Sequence, residues 1–155
     1  INDAVRQSLD TLLKDFSIVH LCGKGNLDPS SENRTGYRQF EFISDELPDF
    51  FAASDIVISR AGANSICELL ALRKPNILIP LSKNASRGDQ ILNAKSFERQ
   101  GFSKVLEEES VTASSLVAAI HDVFSNRDTY VLKMEKSPMG DSIDVIMKLI
   151  SEVSL

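Results

Sequence analysis

The pattern of apolar and polar positions divides the chain into alternating strands and helices. Short apolar or alternating runs predict strands at 17–22, 37–43, 55–59, 76–81 and 102–107. Apolar residues with helical spacing predict helices at 2–14, 46–54, 64–72, 89–101, 113–125, 126–136 and 141–152. Polar, turn-rich segments at 23–36 and 82–88 are predicted to be loops.

This alternation decides the predicted fold class. Most of the strand-length runs are continuously apolar, which is typical of strands with both faces buried. We therefore expect an α/β fold with a doubly wound, Rossmann-like parallel sheet that carries helices on both sides. A chain of 155 residues has the length of one domain, so 1–155 is predicted to be a single domain.

The first predicted helix starts at the first residue of the sequence. The chain begins with Ile1 rather than with methionine, and no residue precedes the helix to cap its amino end. We therefore expect the sequence to be a piece of a longer chain.

Charge and composition exclude several kinds of function. The net charge of −5 disfavours nonspecific binding of nucleic acid, which needs Lys and Arg to displace phosphate counterions. No apolar run approaches the roughly 18 residues of a membrane span. Cys22 and Cys67 are predicted to be buried free thiols in a reducing compartment, because no ligand or redox spacing surrounds them. His20 and His121 are too far apart in the chain to suggest a metal cluster, and His20 is interpreted as structural.

Ligands of doubly wound sheets bind where the carboxyl ends of strands meet the loops that lead into helices. Three loops fall at such positions, at 23–26, 60–65 and 82–89. The first contains Gly-Lys-Gly without the spacing of a P-loop. We interpret it as a tight turn, with a phosphate cradle as the alternative.

The second loop belongs to the stretch SRAGANSICELL at 59–70, which joins a strand to a helix. Gly62, with an alanine on either side, would let backbone N–H groups and the helix dipole approach an anion. Ser65 can donate to a phosphate, and Glu68 can accept from two vicinal hydroxyls, as on a ribose. The same two residues also match the capping-box pattern S-x-x-E, in which they would only satisfy backbone donors. The pattern leaves both interpretations open.

The third loop ends at Asp89 and Gln90. Asp89 can be an N-cap with Gln90 solvated, or the two side chains can bind sugar hydroxyls, and the motif does not separate these interpretations. Asn93 is disfavoured inside a helix, which indicates a role for its side chain. The run Glu107-Glu108-Glu109 is predicted to be a solvated face.

Taken together, these segments resemble a known family. The order HLCGKGN, FEFI, SDIVISRAGANSICELLALRKPNILIPL and DQILNAKSFERQG is similar to the carboxyl-terminal domain of glycosyltransferase family 28. The resemblance covers essentially the whole chain, and Ile1-Asn2 is similar to the end of a glycine-rich junction of the family. It implies one half of the two-domain GT-B architecture.

The resemblance also implies a binding role for eight residues. The peptide group of Ile43 would meet the uracil edge, and Glu68 would take the ribose hydroxyls. Gly62, Ala63, Asn64 and Ser65 would line the diphosphate, and Asp89 and Gln90 would face the N-acetylglucosamine hydroxyls. The family often has His or Gln where this chain has Asp89. We expect no catalytic residue, metal or cofactor here, because the proposed general base of the family lies in the amino-terminal domain.

The implied function is binding of the donor UDP-N-acetylglucosamine (UDP-GlcNAc) by an inverting N-acetylglucosaminyltransferase of peptidoglycan synthesis. The enzyme would be cytoplasmic and peripheral on the inner face of the bacterial membrane. Its lipid-linked acceptor would bind the missing amino-terminal domain, so this piece alone is expected to be inactive. The alternatives are a stand-alone donor-binding subunit of a split UDP-GlcNAc transferase and a non-catalytic nucleotide-binding domain.

Overall fold

The structure is a computed structural model that describes residues 1–82 and 88–137. Within these ranges the strands are β1 (Ile18–Leu21), β2 (Tyr37–Phe40), β3 (Val57–Ser59), β4 (Asn76–Leu78) and β5 (Ser103–Val105). The helices are α1 (Asn2–Leu12), α2 (Leu47–Ala53), α3 (Ala63–Ala71), α4 (Asp89–Gln100), α5 (Ala113–Ser125) and α6 (Arg127–Glu135). Short 3₁₀ turns occur at Pro29–Ser31 and Glu108–Ser110. The helix predicted at 141–152 lies outside the described residues.

Every strand pair that the structure describes is parallel. β1 pairs with β2, with Ile18 opposite Tyr37. β3, β4 and β5 form a second group in that order, with Asn76 of β4 between Val57 and Ser103. Parallel neighbours need long crossover connections: α3 joins β3 to β4, α4 joins β4 to β5, and the link from β1 to β2 contains the 3₁₀ turn at Pro29–Ser31. The predicted α/β class is therefore confirmed.

Helices cover both faces of β4. Ile77 packs into a core cluster with residues of α1 and α5, and Leu78 packs into a second cluster with residues of α3 and α4. Both side chains are 0% exposed. Since successive strand residues point to opposite faces, this alternation places two helices on each side of the sheet. The doubly wound arrangement that the continuous apolar runs predict is therefore confirmed.

β1 differs from that expectation. Its side chains Val19 and Leu21 are 46% and 45% exposed, whereas His20 between them is buried. The prediction that both strand faces are buried is therefore wrong for β1. A continuous apolar run shows which residues can be buried, but it does not show which face another element covers.

His20 links the start of α1 to the two strands β1 and β2. Its Nε2 lies 3.1 Å from Oδ1 of Asn2, and its Nδ1 lies 2.8 Å from the hydroxyl of Tyr37. The Asn2 amide nitrogen donates to the carbonyl oxygen of Cys22 at 2.8 Å, so its oxygen faces the ring. Burial lowers the pKa of His20, and the charge of Arg6 acts in the same direction. The structural interpretation of His20 is confirmed.

The signals predicted at the start of α5 and at the end of α4 are also confirmed. Thr112 caps α5 through a reciprocal pair of hydrogen bonds with Ser115. α4 ends at Gly101, whose φ of 75° is in the left-handed region that favours glycine. None of the helices in 1–82 and 88–137 combines the length and apolarity that crossing a bilayer requires.

Candidate functional site

α3 begins earlier than the capping-box interpretation requires. Its N-cap is Gly62, in an extended conformation, and the first helical bond runs from the Ile66 N–H to the Gly62 carbonyl at 3.0 Å. Ser65 is therefore the third residue of the helix rather than its cap, and no side chain caps the helix. The capping-box interpretation of Ser65 and Glu68 is wrong, because the small residues before Ser65 already adopt helical geometry.

The amino end of α3 presents free peptide donors. Within the described residues, the N–H groups of Ala63, Asn64 and Ser65 find no acceptor. The first turn of a helix cannot satisfy these groups internally, and they carry the positive end of the helix dipole. An anion is the ligand that such an end stabilises best.

Gly62 leaves the approach to these donors open. Its φ of −65° is one that any residue adopts. A Cβ added to Gly62 would meet only Oγ of Ser65, at 3.9 Å, which is ordinary contact. Neither the backbone nor packing within the described chain therefore requires glycine at this position. Glycine is favoured over alanine at an N-cap, and it leaves room for a close approach by a ligand.

Ser65 and Glu68 are available to the same ligand. As positions i and i+3 of a helix, they lie on one face of α3. Ser65 is half-buried and Glu68 is exposed. In the part of the chain that the structure describes, neither side chain forms a hydrogen bond or ion pair. A hydroxyl donor and a carboxylate acceptor thus stand beside the free peptide donors.

Asn93 brings the start of α4 to this loop. Its side-chain nitrogen donates to the carbonyl oxygen of Ala61 at 3.1 Å. The prediction that Asn93 has a side-chain role is confirmed. Asp89 is the first residue of α4 and is exposed, while the N-cap is Gly88 with a φ of 87°. The N-cap interpretation of Asp89 is therefore wrong, and its carboxylate lies on the first turn.

Gln90 is not simply solvated, as one interpretation expected. It is half-buried, and its Oε1 accepts from the N–H of Leu81 at 3.1 Å. The oxygen must face Leu81, because a backbone N–H can only donate. The amide nitrogen of Gln90 is then the group that can donate to a ligand.

Arg60 and Glu108 adjoin this site and were not identified from the sequence as site residues. The Arg60 guanidinium donates to Oε1 of Glu108 at 2.6 Å and to the carbonyl oxygen of Ile79 at 3.2 Å. The Ser82 N–H donates to Oε2 of Glu108 at 2.9 Å. The hydrogen bond from the Ser82 N–H, and then that from Arg60, lower the pKa of Glu108. The solvated interpretation of the glutamate run is wrong for Glu108, and an arginine directly before the small-residue loop was the available signal.

Ile43 lies in the loop between β2 and α2, with its side chain 8% exposed. No hydrogen bond among the described residues links it to the starts of α3 and α4. Asn93 therefore brings the start of α4, with Asp89 and Gln90, to the α3 loop, and Ile43 lies in a separate loop.

The glycine-rich loop after β1 is a tight turn, as interpreted. Gly23 and Gly25 have φ of 86° and 75°, and the Asn26 N–H donates to the Gly23 carbonyl at 3.1 Å. The N–H of Gly25 is taken by the carboxylate of Glu41 at 2.5 Å. The Gly25 N–H is therefore not available to a phosphate.

The cysteine prediction is half right. Cys22 and Cys67 are both free thiols, but only Cys22 is buried and Cys67 on α3 is exposed. Within 1–82 and 88–137, no group of three or more His, Cys, Asp and Glu side chains is arranged to hold a metal ion.

Comparison with known proteins places the chain among glycosyltransferases. The model of the glycosyltransferase family 28 C-terminal domain matches residues 1–150. The UDP-N-acetylglucosamine–N-acetylmuramyl-(pentapeptide) pyrophosphoryl-undecaprenol N-acetylglucosamine transferase of Lachnospira eligens is 60% identical over 99% of this chain and 44% of its own length. The transferase of the same name from Geobacillus thermodenitrificans is 59% identical over 99% and 43%. The chain spans less than half the length of these curated relatives.

Solved structures share the fold. The crystal structure of Acinetobacter baumannii MurG has a TM-score of 0.67 at 22% identity, over 94% of this chain and 46% of that one. The glycotransferase of kitacinnamycin has a TM-score of 0.72 at 17% identity, over 96% and 39%.

Proposed function

The chain belongs to the carboxyl-terminal domains of glycosyltransferase family 28, and from that premise we propose that it binds UDP-GlcNAc as the donor half of an inverting N-acetylglucosaminyltransferase. The observation that carries the proposal is the uncapped amino end of α3. The N–H groups of Ala63, Asn64 and Ser65 are free there, and Gly62 leaves open space beside them. The named relatives, which are about twice as long as this chain, support the choice of donor sugar.

Each part of the donor has a partner in this proposal. The diphosphate lies against Gly62 and the free peptide donors of Ala63, Asn64 and Ser65, with the Ser65 hydroxyl as a further donor. The carboxylate of Glu68 accepts from both ribose hydroxyls, a charge-assisted arrangement. The N-acetylglucosamine hydroxyls meet the Asp89 carboxylate, which accepts, and the Gln90 amide nitrogen, which donates. The uracil edge meets the peptide group of Ile43.

These contacts give the domain a part in the chemistry without an acid or base of its own. An acceptor hydroxyl attacks the anomeric carbon with inversion, and the bond to the diphosphate oxygen breaks. Negative charge then builds on the departing uridine diphosphate. Oriented N–H groups at a helix start stabilise such charge more in the transition state than in the ground state. The acceptor is the lipid-linked muramoyl-pentapeptide at the inner face of the bacterial membrane, and the rest of the longer protein supplies its site and the base.

Calorimetric titration of the chain tests this function. UDP-GlcNAc and UDP are expected to bind, and ADP is expected to bind at least about tenfold more weakly, which is a difference of about 1.4 kcal/mol. ADP differs from UDP only in its base, so the pair isolates base recognition from diphosphate binding. Equal or tighter binding of ADP would contradict the proposal.

A further inference from the structure

We propose that Glu108 is a positioning residue for the donor site, and that it acts by holding the Arg60 side chain on one side of that site and the Ser82 backbone on the other. This inference rests on the proposed function, because it assigns Glu108 to the geometry of the same loops. Glu108 touches none of the groups assigned to the donor. Its effect would pass through Arg60 and Ser82.

The two carboxylate oxygens of Glu108 have different partners. Oε1 binds the Arg60 guanidinium at 2.6 Å, and Oε2 binds the Ser82 N–H at 2.9 Å. Arg60 directly follows β3 and opens the small-residue loop that leads to α3. Ser82 belongs to the chain that leaves β4 toward α4. The Glu108 side chain, from the 3₁₀ turn after β5, therefore contacts the loops that follow β3 and β4.

The backbone after β4 is held from two sides. The N–H of Leu81 donates to Gln90 on α4 at 3.1 Å, and the next N–H, of Ser82, donates to Glu108. Arg60 adds a hydrogen bond to the carbonyl of Ile79 at 3.2 Å. Loss of the Glu108 contacts would remove one hold on this segment, next to the contact between Leu81 and Gln90. The orientation of Gln90, and with it the direction of its amide nitrogen, would then be less well defined.

A contribution to stability alone does not explain this arrangement. The Arg60 and Glu108 side chains are 34% and 28% exposed, and pairs that solvent reaches contribute little to the free energy of unfolding. The neighbouring Glu107 carries the same charge and is exposed. It forms no side-chain cap on the turn that Glu108 begins. A negative charge in this run could therefore be supplied by Glu107 alone, whereas the contacts with Arg60 and Ser82 are made by Glu108.

The experiment compares Glu108→Gln with Glu107→Gln, which removes the same charge one residue away. Affinity for UDP-GlcNAc is measured by calorimetry, and exchange of the Ser82 amide hydrogen is measured without ligand. We expect Glu108→Gln to weaken binding about fivefold to tenfold, the scale of one ordinary hydrogen bond, and to speed the Ser82 exchange, because the single amide oxygen cannot accept from both Arg60 and Ser82. Glu107→Gln should change neither. Glu108→Gln should cost less in an Arg60→Gln background than it costs alone, because the two side chains share one of the two Glu108 contacts.

The outcomes separate this inference from the proposed function. If the unaltered chain does not bind UDP-GlcNAc, both fail. If it binds, and Glu108→Gln binds equally well, the positioning role fails and the proposed function stands. A fall in affinity that comes with a melting temperature lowered by more than about 5 °C would also overturn the positioning role, since general loosening of the fold would then explain it.

Discussion

Gln90 accepts a hydrogen bond at its side-chain oxygen from the backbone N–H of Leu81, at 3.1 Å. This contact fixes which end of the amide faces the protein and which end faces outward. The two functions of the side chain can therefore be separated by substitution. Gln90→Glu keeps an oxygen for Leu81 and removes the nitrogen that would donate to the sugar.

We expect Gln90→Glu to melt within about 2 °C of the unaltered chain, because the contact with Leu81 is retained. Binding of UDP-GlcNAc should weaken relative to binding of UDP by about 1 kcal/mol, the scale of one hydrogen bond. The ratio of the two affinities is the measurement, since repulsion between the new carboxylate and the diphosphate affects both ligands. An unchanged ratio would remove Gln90 from the sugar site.

Glu68 provides the sharpest test of the ribose contact. It is exposed, and α3 starts without a side-chain cap. Glu68→Ala is therefore expected to change the free energy of unfolding by less than about 0.5 kcal/mol. Donor binding should weaken by about 1.5–3 kcal/mol, the scale of a charged hydrogen bond.

The matched control for Glu68→Ala is Glu98→Ala. It removes an exposed glutamate near the carboxyl end of α4, the end farther from Asp89 and Gln90. It should leave donor affinity unchanged. A lowered melting temperature of Glu68→Ala with unchanged affinity would show that Glu68 supports the helix rather than the ligand.

Gly62 tests whether a ligand approaches the start of α3 closely. A methyl group at this position meets no atom closer than 3.9 Å in the described chain. Gly62→Ala should therefore change the free energy of unfolding by less than about 1 kcal/mol, because alanine restricts the unfolded chain but is a poorer N-cap than glycine. Binding of UDP should nevertheless fall at least about tenfold, since the methyl group would occupy the space of the diphosphate.

Thermal melting and titration of the same Gly62→Ala sample give both quantities. A variant of nearly unchanged stability that binds UDP at least about tenfold more weakly is a combination that damage to the fold does not produce. If the variant binds UDP as well as the unaltered chain does, the diphosphate does not lie against this end of α3.

The sequence predicted the fold well because burial follows local periodicity. A continuous apolar run predicts β4, because Ile77 and Leu78 are buried on opposite faces of the sheet. An apolar face and the cap at Thr112 predict α5. The exposure of Val19 could not be predicted in the same way, because it depends on which elements pack together.

The candidate site was predicted only in part, for a related reason. The motif around Ser65 suits both a cap and a ligand, and only the observed helix start at Ala63 separates the two interpretations. Asn93 was singled out by helix propensity alone, whereas its partner Ala61 is 32 positions away in the chain. Glu108 was overlooked because a run of charges is typical of a solvated surface, and its partners come from two other loops.

The buried network around His20 makes stability depend on pH. Since Oδ1 of Asn2 can only accept, Nε2 of the neutral ring carries the proton, and Nδ1 accepts from the Tyr37 hydroxyl. A second proton would place a charge in a buried position near the Arg6 guanidinium. This is why burial lowers the pKa of His20 below its ordinary value of about 6.5.

Because its pKa is lower in the folded chain, the unfolded chain binds more protons at pH values between the two. The contribution of His20 to stability is therefore complete above about pH 6.5 and is lost as the pH falls toward the folded-state value. We expect the free energy of unfolding, measured by urea titration from pH 7.5 to pH 5.5, to fall at up to about 1.4 kcal/mol per pH unit from this group. His20→Gln should flatten this slope. His121→Gln, which replaces a side chain that is 44% exposed, should leave it in place. A slope that survives His20→Gln would show that other groups control the acid sensitivity of the chain.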